Sequence, residues 1–387
     1  MHTGIKELFR IFEEGYIQRD TSEIHNYMEI FSGEDTMILG TSPGELCLGY
    51  DQCRKLIEED WKDWADLRID HDSITLQELG TVTWFTLRGT LKYTFGSSQE
   101  TWERFVHFGR DAIRAADKGP EELLLLLNWA LVNAVQPREP KERDQFWPLG
   151  LTGAIIRNKE SFKFRYMQFF VPCGKYPDFR VGTPLLDFFN LKEHIPLPTP
   201  VIAVAELIPQ VETVCALLSR GRFQELAQYF RGDSVIVGPR LQRYQGLELG
   251  DGFSQLRHQW GEFTPDLGHA VVQQHGTAAW VYCPGFIRSK LPREQRMVEE
   301  VNNVKDTLEG DSPPVDKLIQ TQIDIASTIK ELASGEEGMW PCRFELAFHQ
   351  TNGWTPVAMT ISLPFQWILE GRFRGQRASP TCSHRMY

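Results

Sequence analysis

The chain has 387 residues, 41% hydrophobic and 24% charged, with a formal net charge of −11. Those proportions belong to a globular chain of two to three domains and exclude a disordered, collagen-like or coiled-coil protein. The acidic balance argues against a duplex-binding surface, which needs clustered Lys and Arg to displace counterions from phosphates, so no nucleic-acid partner is expected.

No apolar run approaches the ~20 residues that cross a bilayer. The longest, Leu123–Val135, is interrupted by Asn128 and Asn133 and reads instead as a segment buried on both sides or as a partner surface, self-association among the options. The first residues, Met1-His-Thr-Gly-Ile-Lys-Glu-Leu, meet an acid early and do not read as a secretory signal. The expectation is a cytoplasmic chain with no membrane partner. The seven cysteines (Cys47, Cys53, Cys173, Cys215, Cys283, Cys342 and Cys382) form no C-x-x-C pair, and their number is odd. That pattern favours buried, reduced thiols over a disulfide framework or a zinc ribbon. No metal and no cofactor is expected.

In chain order, Ile5, Leu8, Phe9, Phe12 and Tyr16 fall on one stripe of a helix predicted over 5–18. A short helix over 21–31 brings Ile24, Tyr27, Met28 and Phe31 to one face. A strand at 35–40, a Thr-Ser-Pro-Gly turn at 41–44 and a helix at 51–64 burying Cys53, Leu56, Ile57 and Trp64 follow. Long strands are predicted at 67–79 and 81–95, and two more at 149–158 and 161–172. In the 81–95 strand, Thr83, Phe85, Leu87, Gly89, Leu91 and Tyr93 make the better core face, which turns Arg88 outward. Period two also places Asp70 and Asp72 opposite His71, a solvated strand face and not a converging acid–base pair.

The same order recurs. Tyr27-Met-Glu-Ile-Phe-Ser-Gly-Glu-Asp-Thr-Met-Ile-Leu-Gly40 is answered by Leu226-Ala-Gln-Tyr-Phe-Arg-Gly-Asp-Ser-Val-Ile-Val-Gly238. Trp61 and Trp64 are answered by Trp260 and Phe263, Gly80-Thr-Val-Thr-Trp84 by Gly276-Thr-Ala-Ala-Trp280, and Met167–Pro172 by Met359–Pro364. Register held over so long a stretch reads as a tandem duplication. The expected domains are 1–172, with a helical insertion at about 97–137, and 203–370, with one at about 292–335. Residues 173–202 form a proline-rich linker, and 371–387 a disordered basic tail with four arginines and no acid.

The helix pair, the Phe-x-Gly-x-Asp turn into a short strand, and the Gly-Thr-x-x-Trp strand resemble the SnoaL-like branch of the nuclear transport factor 2-like (NTF2-like) superfamily. The resemblance implies an α+β fold: two tandem cone-shaped barrels, each a curved antiparallel sheet around helices, packed as an intramolecular pseudo-dimer. It does not imply one function, because such folds host isomerases, dehydratases, polyketide cyclases, epoxide hydrolases, transport adaptors and assembly domains. The isomerase-type members resemble this chain around the short strand, yet their base falls on Gly40 and Gly238. Their first-helix tyrosine falls on Phe12 and near Val214, so that mechanism is not implied.

Aromatic residues suited to an apolar pocket remain. Tyr16, Tyr27, Trp61, Trp64, Trp84, Tyr93 and Trp102 are the expected ligand-binding residues, with a small organic ligand as partner. Glu103 and His107 stand four apart on a predicted helix and are the candidate acid–base pair. The first expectation is a small-molecule-binding domain in the first half. The second is an interaction or assembly module with filled pockets, and the third a cofactor-free lyase, isomerase or hydrolase.

Overall fold

The structure, a computed structural model, describes residues 2–41, 45–63, 66–95, 143–158, 161–171, 198–239, 241–259, 262–288 and 339–363, and helical residues at 297–298, 301–302, 304–305 and 308–309. Helix α1 (Thr3–Gln18) buries the predicted stripe of Ile5, Leu8, Phe9, Phe12 and Tyr16. His2 Nδ1 caps its first turn by accepting from the Gly4 amide at 3.1 Å, and Arg19 ends it in the left-handed region at φ 53°. The predicted second helix is instead a chain of short turns at 21–23, 24–27 (α2) and 28–30. Asp20 takes the Ser22 amide at 3.0 Å, and Ser, His and Asn there give little helix propensity, but Ile24, Tyr27, Met28 and Phe31 still reach the core.

Strands β1 (Met37–Leu39) and β2 (Leu46–Leu48) lead into helix α3 (Tyr50–Asp63). Then come β3 (Asp66–Leu79), β4 (Val82–Phe95), β5 (Arg143–Asn158) and β6 (Ser161–Phe170). They form a sheet in the order β2-β1-β6-β5-β4-β3, with β1 parallel to β6 and the other neighbours antiparallel. Residues 198–363 form a second sheet. Its strands are β7 (Val201–Ile202), β8 (Val235–Val237), β9 (Arg243–Gln245), β10 (Glu262–Pro265), β11 (Val271–His275), β12 (Ala278–Arg288), β13 (Met339–Gln350) and β14 (Trp354–Ser362). Its order is β9-β8-β14-β13-β12-β11-β7, with β10 also on β12 and β8 parallel to β14. Helices α4 (Ile208–Ser219), α5 (Phe223–Tyr229) and α6 (Leu249–Gln259) cover one of its faces.

One difference between the sheets has a local cause. In β3 the register shifts between Asp70 and Thr75. There the Asp72 amide donates to Asp70 Oδ1 at 3.2 Å, and the Arg88 amide to Ser73 Oγ at 2.8 Å, so side chains replace ladder partners and make a bulge. At the matching place the second sheet breaks into β10 and β11, parted by a 3₁₀ turn at Leu267–His269. Asp70, His71, Asp72 and Arg88 are exposed, the first three in succession because the bulge interrupts the strand's alternation.

Each sheet has a helix-covered face and a back, and the backs pack on each other. Met37, Leu39, Leu79, Val82, Trp84, Ala154 and Tyr166 meet Val271, Ala278, Trp280, Tyr282, Ala347, Val357 and Ala358 in one buried cluster. Tyr166 stacks between Trp84, at 5.8 Å and 25°, and Trp280, at 6.1 Å and 23°. The tight turns at Gly80 and Gly276, with φ 71° and 58°, lie against each other's neighbouring threonines. A Cβ on Gly80 would strike Thr277 Oγ1, and one on Gly276 would come to 2.7 Å of Thr81 Oγ1. Only glycine suits both the positive φ and the close approach. The linker at 173–197, the 371–387 tail, Leu123–Val135 and most of both helical insertions lie outside the described residues. Of the second insertion, Met297, Val298, Val301 and Leu308 are exposed.

Candidate functional site

The interior between α1, α3 and the first sheet is lined almost wholly by aromatic and aliphatic side chains. Phe9 meets Phe85 at 5.2 Å and Phe164 at 5.6 Å, and Phe12 meets Phe164 at 5.5 Å and Tyr16 at 5.2 Å. Phe31 and Phe169 extend the same set. These contacts follow from the sequence: a helical stripe with an aromatic ring nearly every turn faces strands whose inward positions are also phenylalanines.

Polar chemistry enters at one end of this interior. Tyr16 lies on the last turn of α1, its ring 1% exposed, and its hydroxyl donates to Asp60 Oδ2 of α3 at 3.0 Å. Tyr27 packs edge-on against Trp61 at 4.8 Å and donates its hydroxyl to the Phe12 carbonyl at 3.1 Å. That bond fixes the ring and occupies the donor. The Trp61 indole N–H is buried and has no hydrogen-bond partner among the described residues. The Glu45 carboxylate folds over Gly40, into the space a Cβ there would take, and Gly40 closes the turn by donating its amide to the Glu45 carbonyl at 2.8 Å. Burial raises the Tyr16 hydroxyl well above its ordinary range, and the charges of Asp60 and Glu45 add to that. Tyr16 is therefore a protonated donor near two carboxylates at neutral pH.

The structure thus brings Tyr16, Tyr27 and Trp61 together. Trp84, expected as another wall of this interior, faces away from it. Its neighbour Phe85 takes the inward face, and period two turns the Trp84 ring into the seam with the second sheet. The side chains of Trp64, Tyr93 and Trp102 lie outside the described residues, as do Glu103 and His107. Asp60 and Glu45 were invisible to motif reading. Asp60 is one charge in the acidic run before Trp61, and Glu45 follows a turn, with room left for it by Gly40.

Among the described residues the second half has no equivalent pair. Two residues before the end of its first long helix, where α1 has Tyr16, α4 has Leu217, 6% exposed. Its interior instead gathers Cys215, Cys283 and Cys342, all buried. Burial pushes these thiols up, Cys283 to about 12, so they are neutral packing groups and not nucleophiles. Arg231-Gly-Asp233 ties itself up: the Arg231 guanidinium pairs with Asp233 and reaches His349 Nδ1 at 3.2 Å. Among the described residues no group of three or more His, Cys, Asp or Glu is placed to hold a metal ion. No described helix is long and apolar enough to cross a membrane.

Residues 5–110 match the family model of the SnoaL-like domain. No curated protein matches the chain. Similar solved structures include an NTF2-like protein with a cystatin-like fold from Novosphingobium aromaticivorans, at 12% identity and TM-score 0.26. That match covers 46% of this chain and 88% of that one. An NTF2-like superfamily protein from Salmonella enterica matches at 7% identity and TM-score 0.28, covering 44% of this chain and 90% of that one. An NTF-2 like protein from Shewanella oneidensis matches at 12% identity and TM-score 0.24, covering 43% and 95%.

Proposed function

We propose that the chain is a tandem pair of SnoaL-like units in which the first binds a small organic ligand and the second serves as its structural partner. The ligand would sit at the Tyr16–Asp60–Trp61 end of the first interior, against apolar walls. The observation that carries this reading is the Tyr16 hydroxyl on Asp60 at 3.0 Å at one end of an aromatic interior, beside the buried Trp61 N–H, which has no hydrogen-bond partner among the described residues. Binding sites combine apolar walls with a few placed polar groups in this way, and a buried donor without a protein partner is one a ligand can satisfy. The Trp61 N–H would donate to a ligand oxygen, while the Asp60 carboxylate, held in place by the Tyr16 hydroxyl, accepts from a ligand donor. The matching strand order of the two sheets supports the tandem reading, and Leu217 in place of Tyr16 supports the division of labour.

The competing reading is an assembly module with filled pockets, and the dense phenylalanine contacts of the first interior favour it. Thermal unfolding against a panel of small organic metabolites separates the two. A ligand at a hundredfold excess over Kd stabilises a folded protein by about 2.7 kcal/mol. The proposal expects an upward shift from one chemical class in the wild type, and loss of that shift in Tyr16→Phe and Asp60→Asn. A flat panel, or a shift that survives both substitutions, favours the assembly module.

A further inference from the structure

The seam between the two sheets is not uniformly apolar. Cross-strand pairing places Thr86, Thr152 and Gln168 in one row on the first sheet, and Tyr282, Glu345 and Thr360 in one row on the second. All six residues are at most 5% exposed, and Gln168 Nε2 bridges the sheets by donating to Ser362 Oγ at 2.6 Å. Tyr166, the middle ring of the stack, donates to Gln168 Oε1 at 3.2 Å. Arg343, two residues before Glu345 on β13, is 2% exposed and donates across the seam to the Gly40 carbonyl.

Glu345 stands out in this row. It is 1% exposed, and among the described residues neither carboxyl oxygen closes a hydrogen bond of ordinary geometry, nor do the hydroxyls of Thr86, Thr152 and Thr360. A charged carboxylate so placed is costly unless paired and hydrogen-bonded, and a neutral one much less so. The groups facing it are Tyr166 from the first sheet, Tyr282 on β12, Thr360 on β14 and Arg343 on its own strand. We propose that this seam is a proton-dependent joint, in which Glu345 is held as the neutral acid and whose backs loosen from each other when that proton leaves.

Burial lifts the Glu345 carboxyl from 4.5 to about 8, against the smaller opposing pull of Tyr166, Thr360 and Arg343. Both facing tyrosines are raised by burial and remain neutral through that window. The folded acid therefore binds its proton more tightly than the unfolded one. Its contribution to stability is fully present below 4.5 and declines as pH rises to about 8. His275 and His349 are lowered by burial, and the charges of Arg165 and Arg231 add to that.

The test compares the full-length wild type with Glu345→Gln from about pH 5 to about pH 9, following the thermal midpoint and the near- and far-ultraviolet circular dichroism. Expected is a wild-type midpoint that falls with pH more steeply than the variant's. The wild type also loses near-ultraviolet signal from the Trp84–Tyr166–Trp280 stack above about pH 8, with the far-ultraviolet signal intact. Parallel curves for the two proteins would overturn the proposal. Should the variant fail to fold, infrared spectroscopy of the wild type decides. A protonated, buried carboxyl band at about pH 6 that disappears at about pH 9 supports the joint, and its absence at about pH 6 overturns it.

Discussion

Tyr16 has one hydrogen-bond donor, and Asp60 takes it at 3.0 Å. Tyr16→Phe keeps the ring and removes the hydroxyl with its bond to Asp60. The expected cost is about 1.5–3 kcal/mol in chemical denaturation, the range for losing one bond to a charged acceptor. A loss above about 4 kcal/mol would mean that the ring had moved. The cysteines give a second test at this scale. Cys47, Cys53, Cys215, Cys283 and Cys342 are all buried, and burial raises the last three. In native protein these five should stay silent to a thiol-specific chromogenic reagent and react together on unfolding. The burial of these thiols follows from residue type, whereas the site's two carboxylates do not announce themselves in the sequence. Tyr16 and Asp60 stand 44 residues apart, and only the packing of α1 on α3 brings them together.

At the level of the element, the turn at Gly80 carries a clear expectation. Gly80→Ala forces a side chain to φ 71° and drives its Cβ into Thr277 of the other sheet. The strained backbone alone costs about 1–3 kcal/mol. Gly33→Ala makes the control, at φ 80° with nothing within 4 Å, so any cost beyond it reports the contact between the turns. Strands were the most legible elements, because alternation and a Gly-Thr turn mark both ends: 67–79 and 81–95 are observed as 66–79 and 82–95. What alternation cannot tell is which face meets the protein's own helices when both faces are buried. Trp84 and Phe85 are 1% and 0% exposed, and each would satisfy either role. The short turns at 21–30 show the other limit, where an apolar stripe survives although the local residues do not sustain a helix.

For the whole molecule the joined backs predict how the halves behave apart. A fragment of residues 1–172 would present Met37, Leu39, Val82, Trp84 and Tyr166 to water, an apolar patch of the kind that drives association. Sedimentation should find it as a dimer or larger, while the full chain supplies its own partner at any concentration. A soluble fragment monomer at high concentration would mean that the joint contributes little.

The joint also sets an order of events in time. Its contacts link residues far apart in sequence: Gln77 to Asp233 across 156 positions, Gln168 to Ser362 across 194, and Arg343 to Gly40 across 303. Each sheet draws its strands from one continuous half of the chain and can close by itself. During synthesis at about 5–20 residues per second, the first half waits on the order of ten to forty seconds for the second to emerge. Through that interval its tryptophan-bearing back has no cover, so the apolar surface is open to unwanted association until the second half arrives.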